Sequence, residues 1–158
     1  METKKIIITG GANRIGRSIA LELANYDTQI VIHYSKSFVA AKKLKIELEN
    51  LGSIVHLLKA DLNNFKQTQE IIPYAYKKMK GLNCLVNNAS IFENDNLIDF
   101  SDKSFLKHMN VNLKAPSILI RNFAKKYSGK DWKEPSCDWG DRDLAVAISE
   151  IQKKRKID

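Results

Sequence analysis

The stretch TGGANRIG, Thr9 to Gly16, stands between the apolar run KKIII and the amphipathic SIALELA, and no other feature restricts the fold as much. A strand that is apolar at consecutive positions belongs to a sheet covered on both faces, and a glycine-rich turn leading from it into a helix belongs to a strand-turn-helix unit. In a parallel sheet that turn lies at the carboxyl edge, where the helix offers unpaired N–H groups and the positive end of its dipole. Glycines there reach positive φ and admit an anion that a Cβ would hold away. The turn is a candidate anion cradle, and a tight turn without a ligand is the plainer alternative.

The same rhythm continues along the chain. Strands are predicted at Lys5–Thr9, Gln29–Tyr34, Ile54–Lys59 and Leu82–Asn87. Helices are predicted over Arg14–Ala24, Val39–Leu51 and about Asn64–Lys80, and a long helical region runs from Ser101 to about Tyr127, capped by Ser101 and kinked or broken at Pro116. Alternation of this kind predicts an α/β fold, a doubly wound parallel sheet of Rossmann-like topology. After Gly129 the rhythm stops. DWKEPSCDWGDRD has no strand pattern and LAVAISEIQKKRKID suggests one short helix, so residues 1–130 read as the domain, truncated after about four strands, and 131–158 as a divergent tail.

The net charge of +8 is uneven, with 20 basic and 11 acidic side chains through Lys130 and 6 against 7 beyond it. Lysines in pairs on helix faces read as solvated surface, and nothing interleaves them with aromatic residues as a nucleic-acid stripe would. Nucleic acid therefore draws only on the overall charge and the tail's KKRK. No apolar run approaches the roughly 20 residues of a membrane span, and no signal-peptide pattern opens the chain, which predicts a cytoplasmic location. Two cysteines, Cys84 and Cys137, fit neither a disulfide framework nor a metal site.

TGGANRIG resembles the Thr-Gly-x-x-x-Gly-x-Gly element of short-chain dehydrogenases/reductases, with Arg14 at the middle glycine, as in the pteridine reductase branch. HYSKS (His33–Ser37), ADLNN (Ala60–Asn64), NNAS (Asn87–Ser90) and NVNLKAP (Asn110–Pro116) follow in the order that branch carries. The likeness covers about residues 4 to 130. It implies that Gly10, Arg14, Ile15 and Gly16 hold a pyrophosphate, that Asp61 and Leu62 meet the adenine, and that Asn88 and Ala89 flank the ribose. His33, Tyr34, Ser35 and Ser37 would bind the cofactor at the strand-two exit. Outside that resemblance Asp61 is a helix cap and the Asn pair fills a turn. At that exit an acid would bind the 2′-OH of NAD. Here none stands, and Arg14, Lys36 and two hydroxyls favour the 2′-phosphate of NADPH. Asn112 matches the asparagine that bends a helix and holds a water in the family's proton relay, and Phe92 stands where a ring would stack on a pterin.

The resemblance also implies a tyrosine and a lysine four residues later, on one helix face, so that the ammonium favours the phenolate. That pair should follow a fifth strand, and the chain holds none there. Tyr74 with Lys78 and Tyr76 with Lys80 fall on the third helix, and Tyr127 is followed four residues on by Asp131. Two readings follow: an NADPH-dependent oxidoreductase reducing a pteridine or other carbonyl substrate but lacking full activity as this chain alone, or a non-catalytic dinucleotide-binding fragment or gene remnant. The bare far edge of strand four predicts a covering by Leu144–Ile151 or by a second copy.

Overall fold

The computed structural model describes residues 3–25, 27–93, 98 and 101–127. The tail from 131 onward, with Cys137 and the segment Leu144–Ile151, lies outside the described residues. In chain order the elements are β1 (Lys4–Ile8), α1 (Arg14–Leu23), β2 (Thr28–Tyr34), α2 (Phe38–Asn50), β3 (Ile54–Lys59), α3 (Phe65–Met79), β4 (Cys84–Val86), α4 (Asp102–Met109), a π-helical turn (Asn110–Lys114) and α5 (Ala115–Ala124). The strands form one parallel sheet in the order β3-β2-β1-β4. Ile6 stands opposite Ile30 on one side and Cys84 on the other. This is the expected Rossmann-like architecture.

Alternation along the strands divides the core in two, because successive side chains leave a strand on opposite faces. Ile6, Ile8, Ile30 and Ile32 pack with Ala20 of α1 and Ala41, Leu44 and Leu48 of α2. Ile7 and Val31 face the other way, onto Ile71, Ile72 and Ala75 of α3 and Ala115 and Leu119 of α5. Each fully buried isoleucine stabilises the fold by about 1.5–3 kcal/mol relative to an exposed one. The centre of the sheet is thus fixed by residues that have no polar alternative.

Two departures from expectation have local causes. β4 is three residues long because the side-chain oxygen of Asn83 takes the Lys5 N–H, while the Asn83 N–H donates to the Lys5 carbonyl. Regular pairing therefore begins only at Cys84. The long helical region does not stop at Pro116: it widens at Asn110–Lys114 into a π turn, in which the Ala115 N–H donates to the Asn110 carbonyl five residues back, and helical backbone continues through Pro116, which has no N–H to give, into α5. No helix of the described residues is long and apolar enough to cross a membrane.

Candidate functional site

The exits of β1 and β4 are laced together by Thr9 and Asn88. Thr9 is almost fully buried and its N–H donates to the Val86 carbonyl at 3.0 Å. Its hydroxyl accepts from the Asn88 N–H at 3.0 Å and the Ala89 N–H at 3.1 Å. The Asn88 amide returns two bonds, to the Thr9 carbonyl at 2.9 Å and the Gly10 carbonyl at 3.1 Å. Asn88 is thereby spent on shaping the loop. Thr9 was not singled out in the sequence, although it opens the motif.

Two glycines are required by the geometry. Gly10 has φ +61°, and a Cβ on it would lie 2.9 Å from the Ala89 Cα. A Cβ on Gly16 would come within 2.4 Å of the Gly10 carbonyl oxygen and 2.6 Å of the Asn88 Nδ2. The first turn of α1 rests directly on the loop with no side chain between them.

That helix mouth is electrostatically open. Asn13 occupies the cap position but its side chain makes no capping bond, and the first turn contains no acid. The first helical residue, Arg14, has φ +48°, a conformation that glycine adopts freely and other residues hold only when their surroundings impose it. Ile15 beside it is 71% exposed. Free N–H groups and an uncompensated dipole end together favour an anion.

The strand-two exit departs from the sequence reading. His33 is 2% exposed and spends both ring nitrogens inside the protein: Nδ1 accepts from the Gly10 N–H at 3.2 Å and Nε2 pairs with the Ala60 carbonyl at 3.1 Å. Its ring is therefore held between two loops and does not offer a nitrogen to a ligand. Burial pushes its pKa down to about 4, against the opposing pull of the Ala60 carbonyl and Asp61, so the ring is neutral with its proton on Nε2. Tyr34 is 7% exposed and its ring packs 5.9 Å from that of Phe38, within the α1/α2 core. Ser35 and Lys36 are exposed, Ser37 is half-buried and makes no capping bond with its side chain, and no acid occurs between Asp27 and Glu47.

At the β3 exit Asp61 is exposed. Its Oδ1 accepts from the Asn63 N–H at 2.9 Å and its own N–H donates to Gln67 Oε1 at 2.7 Å. Leu62 is buried in the α3/α5 core, which leaves its backbone rather than its side chain to a ligand.

Beyond β4 the π turn acts as an anchor. The Asn112 amide pairs with both backbone groups of Ile91, accepting from its N–H at 2.9 Å and donating to its carbonyl at 2.9 Å. The side chain predicted to serve a proton relay is thus bound to the loop after β4. His108 takes the Glu93 N–H on Nε2 at 3.1 Å, and Asn110 donates to Asn63 at 3.0 Å. Phe92 is 87% exposed. The Tyr74 hydroxyl donates to the Leu57 carbonyl at 3.1 Å, and Lys126 lies over the Tyr76 ring. Among the described residues no three His, Cys, Asp or Glu side chains are grouped to hold a metal.

The sheet and loop together define a Rossmann-like α/β protein. The family model for short chain dehydrogenases matches residues 4–134, and the chain belongs to that family. It is 33% identical over 133 residues to the 3-oxoacyl-[acyl-carrier-protein] reductase FabG of Buchnera aphidicola, covering 81% of this chain and 53% of that relative. A short chain dehydrogenase from Burkholderia cenocepacia, solved in complex with NADP, superposes with a TM-score of 0.76 at 29% identity, over 80% of this chain and 52% of the other. The FolM alternative dihydrofolate reductase 1 of Brucella canis, complexed with NADP, gives 0.71 at 25% identity over 79% and 50%. The chain spans about half the length of the curated relatives it matches.

Proposed function

We propose that this chain binds NADP(H) across the carboxyl edge of its sheet. The carrying observation is the fit of the loop to a pyrophosphate: a cradle closed to any Cβ at Gly10 and Gly16, under a helix mouth with neither a side-chain cap nor an acid. The backbones of Gly10, Arg14, Ile15 and Gly16 hold the two phosphates. Arg14, Ser35, Lys36 and Ser37 receive the 2′-phosphate, for which charge-assisted bonds are available and no carboxylate repels it. The Asp61 carboxylate and Leu62 backbone meet the adenine, and Ala89 meets the ribose beside Asn88. The NADP complexes of the Burkholderia and Brucella proteins support this choice of cofactor.

NADPH so bound supplies a hydride to a small-molecule carbonyl or imine. Arg14 and Phe92, with the likeness to the FolM reductases, favour a pteridine as that molecule. No Tyr-x-x-x-Lys stands beyond β4 among these 158 residues, and proton delivery, worth roughly 10²–10⁴-fold in rate, is assigned to none of them. The part of that reaction assigned to these residues is the holding of the nucleotide, in the cytoplasm. The exposed apolar residues of α4, Phe105 and Leu106, fit association with a second copy.

Titration of the 158-residue polypeptide with NADPH, followed by cofactor fluorescence, tests the reading. NADPH is expected to bind at least tenfold more tightly than NADH, with no oxidation when a dihydropterin is added. Equal affinity for the two removes the 2′-phosphate site. Steady oxidation assigns proton delivery to these residues as well.

A further inference from the structure

Gly10 has no Cβ to restrict it, so its positive-φ conformation has to be imposed by its surroundings. Its carbonyl is held by Asn88 Nδ2 at 3.1 Å and its N–H by His33 Nδ1 at 3.2 Å. The same imidazole reaches the Ala60 carbonyl with Nε2 at 3.1 Å, one residue before Asp61. A neutral imidazole is a rigid plate that accepts at one edge and donates at the other, and here it is 2% exposed, so water does not compete for either bond.

We propose that His33 is a positioning residue for the cofactor, a spacer that aims the phosphate loop and sets its separation from the Asp61–Leu62 turn. The inference rests on the reading of NADP(H) binding above and assigns to His33 an action through two loops rather than a contact with the ligand. In the extended form in which a dinucleotide would span the two loops its phosphates and adenine lie a set distance apart, so a spacer between the loops prearranges both half-sites before binding and lessens the ordering cost of association.

Two substitutions separate the two edges of the ring. Asn carries an acceptor where Nδ1 stands, and Gln carries a donor where Nε2 stands. His33→Asn therefore retains the Gly10 bond, and His33→Gln retains the Ala60 bond. Amide hydrogen exchange at Gly10 in the ligand-free chain is read first. The wild-type and His33→Asn chains are expected to protect that amide, and His33→Gln to exchange it about 100-fold faster, while amides of the β1 and β2 core stay protected in all three. NADP+ affinity by calorimetry is then expected to fall about tenfold in His33→Gln, the scale of one hydrogen bond, and by no more than about threefold in His33→Asn. Adenosine 2′-monophosphate, which lacks the pyrophosphate, is expected to bind all three within about threefold.

Unchanged Gly10 exchange in a folded His33→Gln overturns the assignment whatever the chain binds. So does a parallel loss of NADP+ and adenosine 2′-monophosphate affinity in both variants, which marks a residue of the general fold. Wild-type chain that protects Gly10 but takes up no NADP+ overturns the cofactor reading and, with it, any duty of His33 toward a cofactor.

Discussion

The two sides of the sheet are finished to different degrees. β2 is seven residues long and pairs along both edges, with β1 and β3, and its exit is pinned by His33. β4 is three residues long and, among the described residues, pairs only with β1, and the helix that follows it, α4, buries none of its side chains. The first side ends on β3 and leaves Phe38, Val39, Ile46 and Ile54 exposed, yet around its loop the polar groups of Gly10, His33 and Ala60 are matched with one another. On the second side, among the described residues, β4 likewise ends the sheet, and it is followed by exposed Phe105, Leu106 and Leu113. The contrast teaches that one half is closed around its loop by buried hydrogen bonds, whereas the half that carries α4 is open by comparison.

If that contrast holds, substitutions on the closed side should cost far more than those on the open side. Gly16→Val is expected to cost about 3 kcal/mol of stability through overpacking and to abolish NADP+ binding, because its Cβ meets the Gly10 carbonyl and the Asn88 amide; calorimetry and urea unfolding read the two effects. His33 is next. Its folded pKa lies near 4, below the ordinary 6.5, so the folded state takes up its proton later than the unfolded chain as pH falls. The stabilisation is complete above pH 6.5 and is lost between 6.5 and 4, by up to about 3 kcal/mol. Unfolding midpoints at pH 7.5 and 4.5 should diverge more for wild type than for His33→Asn, which has nothing to titrate there.

On the open side the effects shrink. Asn112→Ala removes two bonds to Ile91 at an exposed position and is expected to cost about 1 kcal/mol, with faster hydrogen exchange at the Ile91 amide. Leu106→Lys, at a residue 57% exposed, should alter the stability of a dilute sample by under about 0.5 kcal/mol while lowering self-association measured by sedimentation. A loss of 2 kcal/mol from Leu106→Lys would break the contrast by revealing that α4 is already covered.

Much of this was legible in the residues. Consecutive β-branched and aliphatic runs such as Ile6-Ile7-Ile8 have one good solution, a strand covered on both faces, and glycines before a helix mark the loop. Side-chain direction was less accessible. HYSKS was read as a polar lining, yet β2 extends through Tyr34, so alternation sends His33 to one face and Tyr34 to the other, both indoors. Nothing in composition distinguishes an imidazole that touches a ligand from one that holds two loops apart. The Asn110–Asn63 bond joins residues 47 apart in sequence, and only the folded arrangement reveals it. The bend that the resemblance attaches to Asn112 falls within the π turn, whereas Pro116, which reads as a kink or break, lies in a helix that continues past it.

That turn has a geometric consequence of its own. Each residue advances an α-helix by about 100°, and a π turn accommodates one residue more than an α turn would. Leu106 and Met109 before it look outward, while Ala115, Ile118 and Leu119 after it are buried, with α5 against α3. The wider turn works as a phase adjuster between two helical segments. Excising a single residue from NVNLK would wind α5 round by about 100° and swing Leu119 out of the interior, so the length of this segment, as much as its composition, decides which residues the second half of the helix delivers to the sheet.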